Sequence, residues 1–181
     1  MLLNFSILQA QVLIKVEMDE AVIAARKFPW SIKLIANQVS VISAKEIAQA
    51  NQANTADLLQ NSGQVLVQKS QQGGGSPIMR GFEANKILLV VDGVRMNNAI
   101  YRAGHLQNSI TIDQFSLEKI EIVNGPGSVL YGSDALGGVI HFYTKSPAFS
   151  NSKKILVKGN VASRYATTNN EITNQVSLLG D

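Results

Sequence analysis

Cysteine is absent from the 181 residues, which excludes disulfides and thiolate metal centres and leaves the redox compartment open. Histidine is nearly absent too. His105 and His141 are the only two, they stand at no ligand spacing, and no intrinsic metal site is expected. Charge of one sign is lacking: 16 basic residues face 13 acidic ones, a formal net charge of +3 with no basic stripe. That balance speaks against a nucleic-acid partner. There is no run of about eighteen apolar residues, so no transmembrane helix is expected. Phosphate-binding signatures are missing as well. A phosphate loop would need Lys after Gly132, where Ser133 stands, and a dinucleotide fingerprint from Gly125 would need Gly at Leu130.

What is present is an ordinary folded composition, 45% hydrophobic and 16% charged. Eleven of the 14 glycines fall between Gly73 and Gly138, which marks a loop-rich middle region. The chain is organised around Leu117 to Lys145. In Leu117–Val123, Ile120 and Ile122 alternate with Lys119 and Glu121, the period of a strand with one buried face. Asn124-Gly125-Pro126-Gly127 breaks it, because Pro126 has no N–H and glycine tolerates backbone angles other residues resist. Ser133 and Asp134 are read as caps of a single helical turn after Tyr131-Gly132. Gly137-Gly138 then releases the chain into Val139–Thr144, a β-branched and aromatic run that predicts a second strand.

Upstream, Val16–Ala25 reads as a short extended segment ended by Pro29-Trp30, and Gln38–Ile42 as a strand. Ser43 and Glu46 form a capping box that predicts a helix over about 44–50. A second helix is expected over Thr55–Gln60, closed by Asn61-Ser62-Gly63. Val65–Lys69 reads as a strand, Gln71–Pro77 as a flexible loop, and Ile78–Phe82 as a strand. Ile87–Val91, five apolar residues in a row, predicts a central strand buried on both faces and ended by Asp92-Gly93. If Ile78–Phe82 and Ile87–Val91 form a hairpin, the glycine loop and the loop Met96–Gln107 leave at one end and share a face. In the tail, Ile155, Val157, Val161 and Tyr165 lie on one face and Lys158, Asn160 and Arg164 on the other. With a turn at Thr168-Asn169-Asn170, this predicts a hairpin of the kind that builds outer-membrane barrels.

The string IEIVNGPGSVLYGSDALGGVI (120–140) resembles the end of the plug domain of TonB-dependent outer-membrane receptors, whose hallmark is I-E-x-x-x-G-P-x-S-x-x-Y-G-x-x-A-x-G-G-V-I. Its residues here include Glu121, Gly125, Pro126, Tyr131, Gly132, Gly137 and Gly138. Arg80-Gly81-Phe82 and Val91-Asp92-Gly93-Val94-Arg95 also resemble plug signatures. Asn124 departs from the family, which usually has Arg there, and that puts in question a plug-to-barrel ion pair from this position. Asp19, Glu20, Ala21, Val22 and Ile23 resemble the TonB box, with Ala24 where Thr is usual.

The resemblance implies an α+β plug with a small mixed sheet, short helices and long loops, followed by the first hairpin of a transmembrane barrel. Residues 1–15 are then a residual leader, 16–28 the TonB-box-like segment, 29–148 the plug and 149–181 the start of the barrel. Barrels of this kind have about 22 strands around a plugged lumen, so the chain is expected to be the N-terminal part of a receptor. The implied location is the outer membrane of a Gram-negative bacterium. The implied partners are TonB, which adds a strand to the box, the receptor's own barrel, and an iron-containing ligand or host iron protein. Gln72, Tyr101, Arg102 and His105 are expected in ligand-facing apical loops.

The stretch Asn97–Asn108 looks most like receptors for haem or host iron proteins, with His105 placed to reach haem iron; ferric-siderophore and cobalamin receptors are the alternatives. No intrinsic cofactor is expected, haem or a ferric chelate being the transported ligand. An enzyme built on Ser133 and Asp134 with His105 or His141 lacks any elbow or triad pattern. A transducing receptor would carry a further domain ahead of the box, where about fifteen residues stand.

Overall fold

The computed structural model describes residues 21–22, 30–31, 37–71, 74–83, 86–96, 111–147, 157–167 and 170–180. Two short strands, β1 (Ala21–Val22) and β2 (Trp30–Ser31), pair with each other and, among the described residues, with no other strand. β3 (Gln38–Ser43) leads straight into α1 (Ala44–Ala50), and Ser43 is where strand becomes helix. The Ser43 hydroxyl accepts from the Glu46 N–H while the Glu46 carboxylate accepts from the Ser43 N–H at 2.7 Å, the reciprocal capping that the sequence predicts. α2 (Thr55–Asn61) begins the same way on Asn54, whose side chain accepts from the Asp57 N–H at 2.9 Å.

β4 (Leu66–Gln71) and β5 (Gly74–Ile78) form a separate antiparallel pair against α2. β6 (Ile87–Val91), the two-residue β7 (Val94–Arg95), β8 (Leu117–Asn124) and β9 (Gly138–Thr144) join β3 in a five-stranded sheet of order β3-β8-β9-β6-β7. β6 and β9 run parallel, and the other neighbours antiparallel. A single helical turn, α3 (Ser128–Tyr131), lies between β8 and β9. β10 (Val157–Ala166) and β11 (Glu171–Gly180) close the chain as one long hairpin. The fold is the small mixed sheet with short helices that the family resemblance implies.

The period-2 geometry of strands divides the core in two. Ile42, Ile87, Leu89, Ile120, Ile122, Ile140 and Phe142 point to one face and pack with Ile47 of α1 and with Leu58 and Leu59 of α2. Leu88, Val90, Val123 and Val139 point to the other, where Ala135 and Tyr131 cover them. The segment from Gly125 to Gly137 is therefore a flap over the second face. Phe142 alone, with no exposed surface, contributes about 2–3 kcal/mol of apolar burial.

Three expectations need correction. Ile78–Phe82 does not form a hairpin with Ile87–Val91: Ile78 pairs with Leu66, and Met79 and Phe82 close a two-residue turn on themselves. The apolar run instead pairs with β9 in parallel, so the shared-face inference drawn from that hairpin fails. The cause is local: Arg80 (φ 52°) and Gly81 (φ 80°) both take positive φ, the mark of a type I′ turn. Next, the stretch read as a flexible loop overlaps the strand Gly74–Ile78, which pairs with β4 so closely that a Cβ on Gly75 would lie 2.2 Å from Val67 Cγ1. Lastly, Ser133 and Asp134 do not cap a following helix. The helical turn comes before them, and Asp134 pairs with Arg95.

Candidate functional site

The hallmark residues gather at two ends of the sheet. At the end where β6 and β9 begin and β8 stops, the Arg80-Gly81 turn meets the Gly125-Pro126 turn, and Arg80 Nη1 lies 3.5 Å from where a Cβ on Gly125 would stand. The Gly125 N–H donates to Gly137 O at 3.3 Å, the Gly127 N–H to Ala135 O at 2.8 Å, and the Gly137 N–H to Lys86 O at 2.8 Å, so both ends of the flap are tied to the sheet by backbone. Gly138 sits where a Cβ would lie 2.7 Å from Val123 O, a backbone atom that cannot swing aside. Asn124, at the position where the family usually has Arg, is buried and donates to Gln64 Oε1 at 3.0 Å, an internal tie between β8 and the end of α2.

At the opposite end, Asp92 (φ 46°) and Gly93 (φ 86°) make a second two-residue turn between β6 and β7. The Asp92 carboxylate accepts from the Thr144 N–H at 2.9 Å and from its hydroxyl at 2.6 Å, which fastens the end of β9. Gly132 (φ 89°) and Asp134, two residues on, bring the flap to β7, where Arg95 pairs with the Asp134 carboxylate.

The second face also carries a polar row that the one-sided alternation of Leu117–Val123 does not predict. Glu121 falls on the nominally polar side of β8 and yet has no exposed surface. Lys119 Nζ donates to its Oε1 at 2.6 Å and the Tyr143 hydroxyl to its Oε2 at 3.2 Å. Register sets His141 directly opposite Glu121, with Val41 and Val90 in the same row. His141 stacks on Tyr143, ring centroids 4.1 Å apart, and its Nε2 accepts the Gly93 N–H at 3.1 Å, which fixes the neutral tautomer with the proton on Nδ1. Burial holds the His141 pKa below its ordinary value, against the opposite pull of the Glu121 and Asp92 carboxylates. Burial and then the Glu121 charge raise the Tyr131 and Tyr143 phenols. These contacts join β8, β9 and the β6–β7 turn, which is a structural task. His141 and Tyr143 were legible only through the pairing of β8 with β9, which a linear reading does not supply.

The other expected site residues are divided. Ala21 and Val22 form β1, with Ala21 opposite Ser31 and Val22 opposite Trp30, so the segment from Trp30 pairs back on β1 instead of simply ending it. Asp19, Glu20, Ile23, Gln72, Tyr101, Arg102 and His105 lie outside the described residues. No group of three or more His, Cys, Asp or Glu that could hold a metal occurs among the described residues.

The hairpin shows the expected alternation. Val157, Val161, Tyr165, Ile172, Val176 and Leu178 form an exposed apolar face. Arg164, on the other face, is buried and pairs with Glu171. That face lines a crevice of about 510 Å³ with Ala44, Ile47, Gln114 and Lys145. One apolar face outward and one polar face toward a packed domain is the pattern of a barrel strand beside its plug.

A glycine-tied flap over a small mixed sheet, followed by such a hairpin, defines the plug class of outer-membrane receptors. The sequence model of the TonB-dependent Receptor Plug Domain matches residues 31–139, and the chain belongs to that family. It is 35% identical over 142 residues to the vitamin B12 transporter BtuB of Vibrio vulnificus (strain CMCP6), covering 76% of this chain and 22% of the relative. It is 39% identical over 111 residues to a hemin receptor of Yersinia pestis, covering 61% and 16%. The siderophore receptor PiuA of Acinetobacter baumannii shares the fold, with a TM-score of 0.59 at 21% identity over 90% of this chain and 20% of that one. The chain thus spans about a fifth of the length of these proteins. TonB-dependent receptors are outer-membrane proteins of Gram-negative bacteria, and the chain carries their plug.

Proposed function

We propose that the chain closes the barrel of a receptor for energy-coupled uptake of a scarce nutrient, an iron compound such as haem or one carried by a host iron protein. Asp19–Ile23 forms the coupling segment to which TonB adds a strand, and Gln72, Tyr101, Arg102 and His105 contact the ligand. The observation that carries the receptor half is the family match over 31–139 joined to an amphipathic hairpin, and the coupling segment rests on the likeness of Asp19–Ile23 to a TonB box. The haem half rests on His105 and on the likeness of Asn97–Asn108 to haem-type receptors. The similarity to a hemin receptor supports it. Cobalamin is the second reading, supported by the longer stretch of similarity to a vitamin B12 transporter.

The test is ligand binding by the receptor that carries this plug. Haem bound through His105 gives an absorption spectrum that changes in His105→Ala, because the imidazole nitrogen bonds iron directly and alanine offers nothing in its place. An unchanged spectrum, or binding of cobalamin or a ferric siderophore without haem, removes the haem reading and leaves the plug assignment untouched.

A further inference from the structure

We propose that His141 is an acid-sensitive latch: a proton on its Nε2 releases the Asp92-Gly93 turn and loosens the edge strand β7, while the rest of the sheet stays paired. The geometry carries this whichever ligand the receptor takes. The Gly93 N–H donates to His141 Nε2 at 3.1 Å. The same turn meets β9 twice more, through the Asp92 N–H to Phe142 O at 3.0 Å and through the Asp92 carboxylate to Thr144. Histidine is the side chain that turns from acceptor to donor in mild acid. An imidazolium has no acceptor, so its Nε2–H would face the Gly93 N–H, two donors where the bond needs one donor and one acceptor.

The ring has nowhere to go. His141 is buried, stacked on Tyr143, and set by register between Glu121 of β8 and Val90 of β6. Asp92, Gly93, Val94 and Arg95 are exposed, and β7 is two residues long at the edge of the sheet, so the turn gives way first. The charged groups that face the ring are Glu121 and Lys119 from β8 and Asp92 from the turn itself. Tyr143 from β9 and Tyr131 from the flap lie on the same face. Burial disfavours the imidazolium most; the two carboxylates favour it, yet Glu121 is bonded to Lys119 and Tyr143, and Asp92 to Thr144. The Nδ1–H is buried without a hydrogen-bond partner among the described residues and is a donor in both forms, so the whole change falls on Nε2. Opening the turn therefore takes up a proton. Below the ordinary 6.5 the released form gains on the latched form by about tenfold per pH unit, until the pH passes the lower value of the latched ring.

Amide hydrogen exchange on the 181-residue chain, followed by NMR and corrected for the intrinsic rate at each pH, reads the latch directly. Protection of the Gly93 and Thr144 amides should fall roughly tenfold between about pH 7 and about pH 5, with Ile122 and Ile140 in the central strands unchanged. The Gly93 amide shift should titrate with the midpoint of the His141 ring nitrogens. His141→Gln, which offers an amide oxygen and does not titrate, should hold Gly93 protection level across this range. Asp92→Asn should still lose it, at somewhat lower pH, because a charge that favours the imidazolium is gone. Steady Gly93 protection in the unsubstituted chain, equal loss in His141→Gln, or no loss in Asp92→Asn would each overturn the latch. So would loss at Ile122 and Ile140 in step with Gly93, which is unfolding of the whole sheet. If His141→Gln does not fold, the two midpoints in the unsubstituted chain decide: agreement supports the latch and disagreement overturns it.

Discussion

Tyr143 and Lys119 converge on Glu121: the phenol reaches one carboxylate oxygen at 3.2 Å and the ammonium the other at 2.6 Å. A carboxylate without exposed surface is tolerated because both oxygens are bonded and a cation stands beside it. Glu121→Gln keeps the volume and weakens the charge-assisted bond to Lys119. It should cost about 2 kcal/mol, read as a lower urea midpoint at unchanged slope. An unaltered midpoint would show that the ion pair contributes nothing measurable.

Gly138 is fixed by backbone. A methyl there meets Val123 O across the β8–β9 ladder, and neither strand can retreat without breaking the sheet. Gly138→Ala should destabilise by about 2 kcal/mol. Gly159→Ala, whose methyl comes nearest the flexible end of Leu178 at 3.3 Å and reaches Ser177 O only at 4.0 Å, should leave the same midpoint in place. Thermal or urea unfolding of the pair checks both.

Acid should weaken the chain in two stages. Burial lowers the His141 pKa in the folded state, so the unfolded chain takes up this proton first. The stability from neutral His141 is complete above the ordinary value of 6.5 and is lost as pH falls through the folded pKa. Glu46 is lowered by the Ser43 backbone N–H and then by its hydroxyl; its contribution is complete above the ordinary 4.5 and is lost below that. Melting temperature should therefore decline from about pH 6.5 downward. His141→Gln should flatten the first stage, and Ser43→Ala should reduce the second while costing about 1 kcal/mol at neutral pH. Tyr131 and Tyr143 act at the alkaline end. Their raised phenols give stability that is full below the ordinary 10.0 and falls as pH rises beyond it.

In the receptor, Val22→Pro or Ile23→Pro should abolish uptake and leave ligand binding intact, since proline removes a donor that strand addition needs. Uptake and binding assays on the same cells separate the two. Unimpaired uptake would place the coupling segment elsewhere.

Periodicity and turn chemistry made much of this fold legible. The capping box at Ser43 and Glu46, the apolar run of β6 and the two-faced tail all appear in the structure where local pattern puts them. What stayed hidden depends on partners distant in sequence. Ile78–Phe82 looks like a strand until two positive φ angles at Arg80 and Gly81 fold it back. Glu121 looks solvent-facing until the flap covers the second face. The hallmark glycines were recognisable as a string, but their reason is contact: Gly138 is small because Val123 O is close.

The sheet order has a mechanical meaning. β3, the first strand of the sheet reached from the amino-terminal side, is an edge strand held by β8 alone, whereas β9, the last before the β10–β11 hairpin, is gripped on both sides by β8 and β6. Under the coupling proposed above, tension on the amino-terminal segment would load the strand with one neighbour first, while the chain leaves toward the β10–β11 hairpin from the strand with two. The plug would come apart from the end that is pulled, a strand at a time, with its anchorage the last part to yield.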